Sequence, residues 1–133
     1  MSDHLARQRL ADIFLDTDPC NAHTTASDAL WVGLPVLTYM GKAFQARVAA
    51  SLLHAVGLPE LVTHSLDEYE QLALSLARDP QRLAAIKAKL MENRATAPLF
   101  DTALYTRHLE AAYTTMWQRY EAGEEPVSFS VPA

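Results

Sequence analysis

The chain has 133 residues, half of them apolar, enough for one domain with a packed core. Eleven basic residues against sixteen acidic ones leave a net charge of −5, which argues against a general nucleic-acid binder but not against a nucleotide held by a few local donors. One cysteine excludes an intrachain disulfide, no apolar run approaches the ~20 residues of a membrane span, and the polar start Met1-Ser2-Asp3-His4 does not read as a signal peptide; together these predict a cytoplasmic protein.

Residues 3–9 are polar and predict a helix or turn leading into a strand over Asp12 to Asp16. The apolar run Ile13-Phe14-Leu15 ends in the polar stretch Asp16 to His23. Thr25 then reads as an N-cap, with Asp28 at capping-box spacing. The helix, about Ala26 to Val32, is stopped by Gly33 and Pro35. Pro35 to Tyr39 is a second strand, and its continuous apolar character suits a buried parallel position. After the loop Met40-Gly41-Lys42, a helix is predicted from Ala43 to Val56, with Phe44, Val48, Leu52, Ala55 and Val56 on its inner face.

Gly57 ends that helix, and Leu61 to His64 is a third short strand. Ser65 and Glu68 form a second capping-box signal for a helix running to Arg78. Asp79 as N-cap and Pro80 at the first helical position open another, to about Arg94. Ala95-Thr96-Ala97-Pro98 breaks the pattern. Asp101 caps a final helix, about Thr102 to Ala122, stopped by Gly123. Its face of Tyr105, Leu109, Ala112, Tyr113, Met116, Trp117 and Tyr120 has a 3–4 spacing. The tail, Glu124 to Ala133, is expected to be extended or loose. Alternating strands and helices imply an α/β fold with a parallel sheet and right-handed crossovers.

The stretch from Ile13 to Asp28 is a strand, a loop and a helix start in succession. Helix starts carry unsatisfied N–H groups and partial positive charge. A phosphate there would meet the amides and hydroxyls of Thr24 and Thr25, and His23. In parallel α/β sheets, ligands sit at the carboxyl ends of strands, where this loop lies. From spacing alone the simpler reading of the same residues is an ordinary strand-to-helix turn with a tidy cap, since capping boxes are common. Cys20 has no adjacent base to make it a nucleophile and reads as a pocket wall or a small buried hydrophobe. His54, His64 and His108 show no metal spacing, and His23 with Asp16 or Asp18 supplies too few ligands.

Leu15-Asp16-Thr17, then Cys20-Asn21-Ala22-His23-Thr24-Thr25, Asp28, Leu30-Trp31, Gly33 and Pro35 resemble the C-terminal part of the protein O-GlcNAc transferase family, in a bacterial type. The resemblance continues through Arg47-Val48-Ala49-Ala50-Ser51, Glu68-Tyr69, Pro98-Leu99-Phe100, Met116-Trp117, Tyr120 and Gly123, nearly the whole chain. It implies the C-terminal lobe of a two-lobe GT-B glycosyltransferase. Residues 1–100 would form a partial Rossmann-like lobe for a nucleotide sugar, 101–123 a lobe-crossing helix and 124–133 a tail. It also implies an inverting transfer of N-acetylglucosamine from UDP-GlcNAc to Ser or Thr, with no metal required.

By this resemblance His23, Thr24 and Thr25 hold the diphosphate and Asp28 the ribose. His4 stacks on uracil, Arg7 bonds its carbonyl edge, Cys20 lies near the donor sugar, Asn21 orients the loop and Arg47 braces the structure. A Lys of the family's pattern falls on Met1. The family's upstream catalytic Lys, its N-terminal lobe and the helical repeats that recruit protein acceptors have no counterpart in this sequence. The chain is therefore expected to be inactive alone and to bind a UDP-sugar, the missing lobe or, through its last helix, itself. A non-catalytic interaction module and a fucosyltransferase- or epimerase-like enzyme of the same fold are the alternatives.

Overall fold

The structure, a computed structural model, describes residues 2–131. In chain order it contains α1 (Ser2–Gln8), β1 (Phe14–Leu15), α2 (Thr24–Val32), β2 (Val36–Tyr39), α3 (Val48–Ala55), β3 (Val62–Thr63), α4 (Leu66–Arg78), α5 (Pro80–Asn93) and α6 (Thr102–Glu121). Single 3-10 turns lie at Phe44–Ala46, Pro59–Leu61 and Pro98–Phe100. The three strands form one sheet in the order β1-β2-β3, and both pairings are parallel. Phe14 is opposite Val36, and Thr38 is opposite Val62. The fold class is the one expected: a partial Rossmann-like parallel sheet with helices and a helical C-terminal extension.

Two compact units meet in sequence between Leu99 and Phe100. In the first, the core gathers on β2 and the helices beside it. Val36, Leu37, Leu30, Leu53, Leu58, Leu61 and Leu90 are completely buried, and each such side chain contributes about 1.5–3 kcal/mol by leaving water. Gly33 ends α2 at φ +90, a left-handed conformation that a side chain would strain. A Cβ there would also stand 2.7 Å from the Met91 sulfur. In the second unit, α6 is capped by Asp101, which accepts from the Leu104 amide at 2.8 Å.

The predicted caps of α4 and α5 are present. Ser65 accepts from the Glu68 amide at 3.1 Å, and Asp79 accepts from the Arg82 amide at 2.9 Å. Glu68 reaches one residue further back than in the standard box and accepts from the His64 amide at 2.8 Å.

Two local expectations fail. The helix predicted from Ala43 to Val56 is broken at Arg47, which has φ −125 and ψ −8. The Gln45 carbonyl, needed for helical continuity, instead accepts from the Asn21 amide at 2.9 Å. Gly41 and Ala46 approach so closely that a Cβ on Gly41 would lie 2.7 Å from that of Ala46, which forces a tight turn. As a result Phe44 is 80% exposed rather than inward, and the buried face is Ala49, Ala50, Leu53 and Val56. The capping box expected of Thr25 and Asp28 does not form. The helix begins two residues earlier, His23 is the N-cap, and no side chain caps it.

Candidate functional site

Chain pairing carries β1 straight into the loop. The Phe14 amide donates to the Pro35 carbonyl at 2.8 Å and the Asp16 amide to the Leu37 carbonyl at 3.0 Å. Asp16, 7% exposed, then holds the loop. Its Oδ1 accepts from the Thr17 amide at 2.9 Å and from the Ala22 amide at 2.7 Å, and its Oδ2 accepts from the Thr38 hydroxyl at 2.6 Å. The Asp16 carbonyl accepts from the Tyr69 hydroxyl at 2.9 Å. Burial first, and the Asp16 charge second, push the Tyr69 phenol above its ordinary pKa, so it stays a neutral donor.

Asn21, 5% exposed, is the second tie. Its amide nitrogen Nδ2 donates to the Thr17 carbonyl at 3.1 Å and to the Tyr39 carbonyl at 3.4 Å. The loop between carries a Thr17 hydroxyl bond to the Cys20 carbonyl at 2.8 Å and a cis peptide before Pro19. The carboxyl ends of β1 and β2 are thus stitched to one loop, and that loop delivers the chain to the start of α2.

Above this frame, His23, Thr24 and Thr25 are exposed. His23 Nε2 lies 3.4 Å from the Gln45 carbonyl, and its ring meets Phe44 edge-on with centroids 6.2 Å apart. The hydroxyls and first-turn amides of α2 therefore stand at the surface beside a partial positive charge, an arrangement that suits an anion. Asp28, half-buried on α2, lies 3.3 Å from His4 Nε2 on α1, and Gln8 Nε2 lies 3.0 Å from the same nitrogen. His4 and Asp28 are thereby brought together. Arg7 is exposed and makes no side-chain hydrogen bond or ion pair among the described residues.

Cys20 is exposed, with its sulfur 3.8 Å from the Asn21 carbonyl, so the buried-hydrophobe reading falls. Arg47 is also exposed and braces nothing among the described residues. It lines, with Met40, Lys42, Phe44, Ser51 and His54, a groove of about 1000 Å³. Among the described residues no three His, Cys, Asp or Glu side chains converge as a metal site would require.

Residues 1–109 match the profile of glycosyl transferase family 41. The chain belongs to glycosyl transferase family 41. It is 43% identical over 131 residues to a probable UDP-N-acetylglucosamine–peptide N-acetylglucosaminyltransferase of Arabidopsis thaliana, covering 98% of this chain and 13% of that protein. It is 42% identical to the UDP-N-acetylglucosamine–peptide N-acetylglucosaminyltransferase of Caenorhabditis elegans, covering 91% of this chain and 10% of that one. A point mutant of the Thermobaculum terrenum O-GlcNAc transferase superposes with a TM-score of 0.83 at 38% identity, over 88% of this chain and 22% of that structure. This family 41 chain thus spans about an eighth or less of the curated relatives named here.

Three structural partners of the site escaped the sequence reading: Asp16 as an anchor, Thr38 and Tyr69. Each leaves a trace. Asp16 is the first polar residue after an apolar strand, and Thr38 is the one aliphatic hydroxyl inside the run Val36 to Tyr39. Tyr69 follows the helix cap at a position whose contact, 53 residues away, only the fold reveals.

Proposed function

We propose that this chain is the nucleotide-binding portion of the donor site of an inverting, UDP-GlcNAc-dependent protein glycosyltransferase that modifies Ser or Thr. The observation that carries this reading is the Cys20-Asn21-Ala22-His23-Thr24-Thr25 block of a family 41 chain, whose His23, Thr24 and Thr25 stand exposed where β1 and its loop deliver the helix start. His23, Thr24 and Thr25 would hold the diphosphate. Negative charge builds on that group as the sugar departs, and fixed amide and hydroxyl dipoles stabilise it without reorganising.

Asp28 accepts from the ribose hydroxyls, for which a carboxylate is a natural partner. His4, already beside Asp28, stacks on the uracil, and Arg7 bonds its carbonyl edge. Cys20 walls the donor-sugar side, and Asn21 keeps the loop in place. No metal is needed, because amides and hydroxyls supply the positive potential. The acceptor-binding lobe and acceptor-recruiting repeats belong to the remainder of a longer enzyme, so the isolated chain binds nucleotide without transferring sugar. A cytoplasmic setting fits the single exposed cysteine.

The test is calorimetry with UDP, UMP and UDP in EDTA. The expected result is UDP binding about tenfold or more tighter than UMP, a margin of about 1.4 kcal/mol, and unchanged by EDTA. Equal affinity for UDP and UMP would remove the diphosphate from the site.

A second reading rests on a separate feature. Tyr105, Tyr113, Trp117 and Tyr120 of α6 are each more than half exposed, and exposed apolar patches commonly find partners. In that reading the chain is an interaction module that self-associates through α6. A sedimentation coefficient independent of concentration would rule it out.

A further inference from the structure

We infer that Asp16 is a positioning residue of the donor site: its buried carboxylate sets the loop that presents His23, Thr24 and Thr25. The inference rests on the donor-site reading and adds to it a residue that touches no ligand. The carboxylate has three donors, and they come from different places. Thr17 is where the loop leaves β1, Ala22 is where it arrives at His23, and Thr38 belongs to β2. One group therefore clamps both ends of a six-residue excursion, Thr17 to Ala22, to the middle strand. Its own carbonyl is held from a fourth element by Tyr69 on α4. With 7% exposure, the group has little water to fall back on, and charge-assisted bonds of this kind are the strong ones.

The charge makes the inference decidable. A carboxylate beneath an anion seat repels a diphosphate through space. If Asp16 acted through its charge alone, Asp16→Asn would tighten UDP binding. If it acts by holding the loop, the same change weakens binding, because an amide cannot reproduce three acceptor bonds.

The experiment compares wild type, Asp16→Asn and Thr38→Val in the full chain, by UDP and UMP calorimetry and by amide exchange. For Asp16→Asn we expect UDP affinity about tenfold weaker, a smaller UDP-to-UMP ratio, and at least about tenfold faster exchange at Thr17 and Ala22. The core amides of Leu30 and Leu37 should keep their rates relative to each other. Thr38→Val keeps the charge and loses one bond, so the same changes are expected at about threefold. It also carries the test should Asp16→Asn fail to fold. Unchanged or tighter UDP binding, or unperturbed Thr17 and Ala22 exchange, overturns the inference. Failure of wild type to bind UDP instead sinks the donor-site reading and leaves the loop-holding role judged on exchange alone.

Discussion

The residues from Asp16 to Thr25 divide into two regions of opposite character. Asp16 and Asn21 are buried and tied to neighbouring strands and loops, with bonds to Thr17, Ala22, Thr38, Thr17 again and Tyr39, although the buried Asn21 Oδ1 has no hydrogen-bond partner among the described residues. His23, Thr24 and Thr25 are exposed, and among the described residues their side chains contribute only the long His23 contact to Gln45 and its edge to Phe44. A stretch that merely turned the chain would not need a charged anchor below and spare hydroxyls above. The division separates groups that hold shape from groups with bonding capacity left over, and substitutions in the two regions should separate in the same way.

One such support is Leu30, completely buried on the inner face of α2. Leu30→Ala should lower unfolding free energy by about 2–5 kcal/mol in a denaturant titration, yet leave UDP affinity within about threefold when measured well below the transition. A loss of affinity matching the loss of stability would erase the distinction between support and rim. Asn21→Ala removes a buried amide that serves two carbonyls. It should lower stability by about 1–3 kcal/mol and also weaken UDP, because Asn21 belongs to the loop itself.

Tyr69→Phe is expected to lower stability by about 1 kcal/mol at neutral pH. It also has a pH signature. The phenol's pKa in the folded chain lies above its ordinary value of 10.0. Its contribution is therefore intact below about pH 10 and is lost as pH rises through the folded value. Wild type should lose melting temperature across that window more steeply than Tyr69→Phe, and parallel curves would detach Tyr69 from the frame. At the other extreme, His23→Ala and Thr25→Ala should change stability by no more than about 0.5 kcal/mol, since neither side chain caps or fills anything.

Much of this architecture is legible in the sequence. The strand, loop and helix order around Asp16 to Thr25, the caps at Ser65, Asp79 and Asp101, and the stops at Gly33 and Gly123 follow local rules and are found in place. What local rules could not foresee were bonds between distant segments. Gln45 gives its carbonyl to Asn21, so a helix expected to be continuous breaks and Phe44 turns outward. Asp28 turns to His4 rather than back to the helix start, so the expected capping box is absent. Asp16 likewise reads as a strand-end acid until Thr38 and Tyr69, 22 and 53 residues away, are brought against it. His4 and Asp28, which family resemblance alone assigns to the uracil and the ribose, lie 3.3 Å apart in the fold.

The decisive measurement is a UDP titration of wild type and of His23→Ala/Thr25→Ala, paired with a melting curve for each. We predict that wild type binds, that the double variant binds at least about tenfold more weakly, and that the two melt together. Equal binding heats in two equally stable proteins would contradict the placement of the diphosphate at the start of α2.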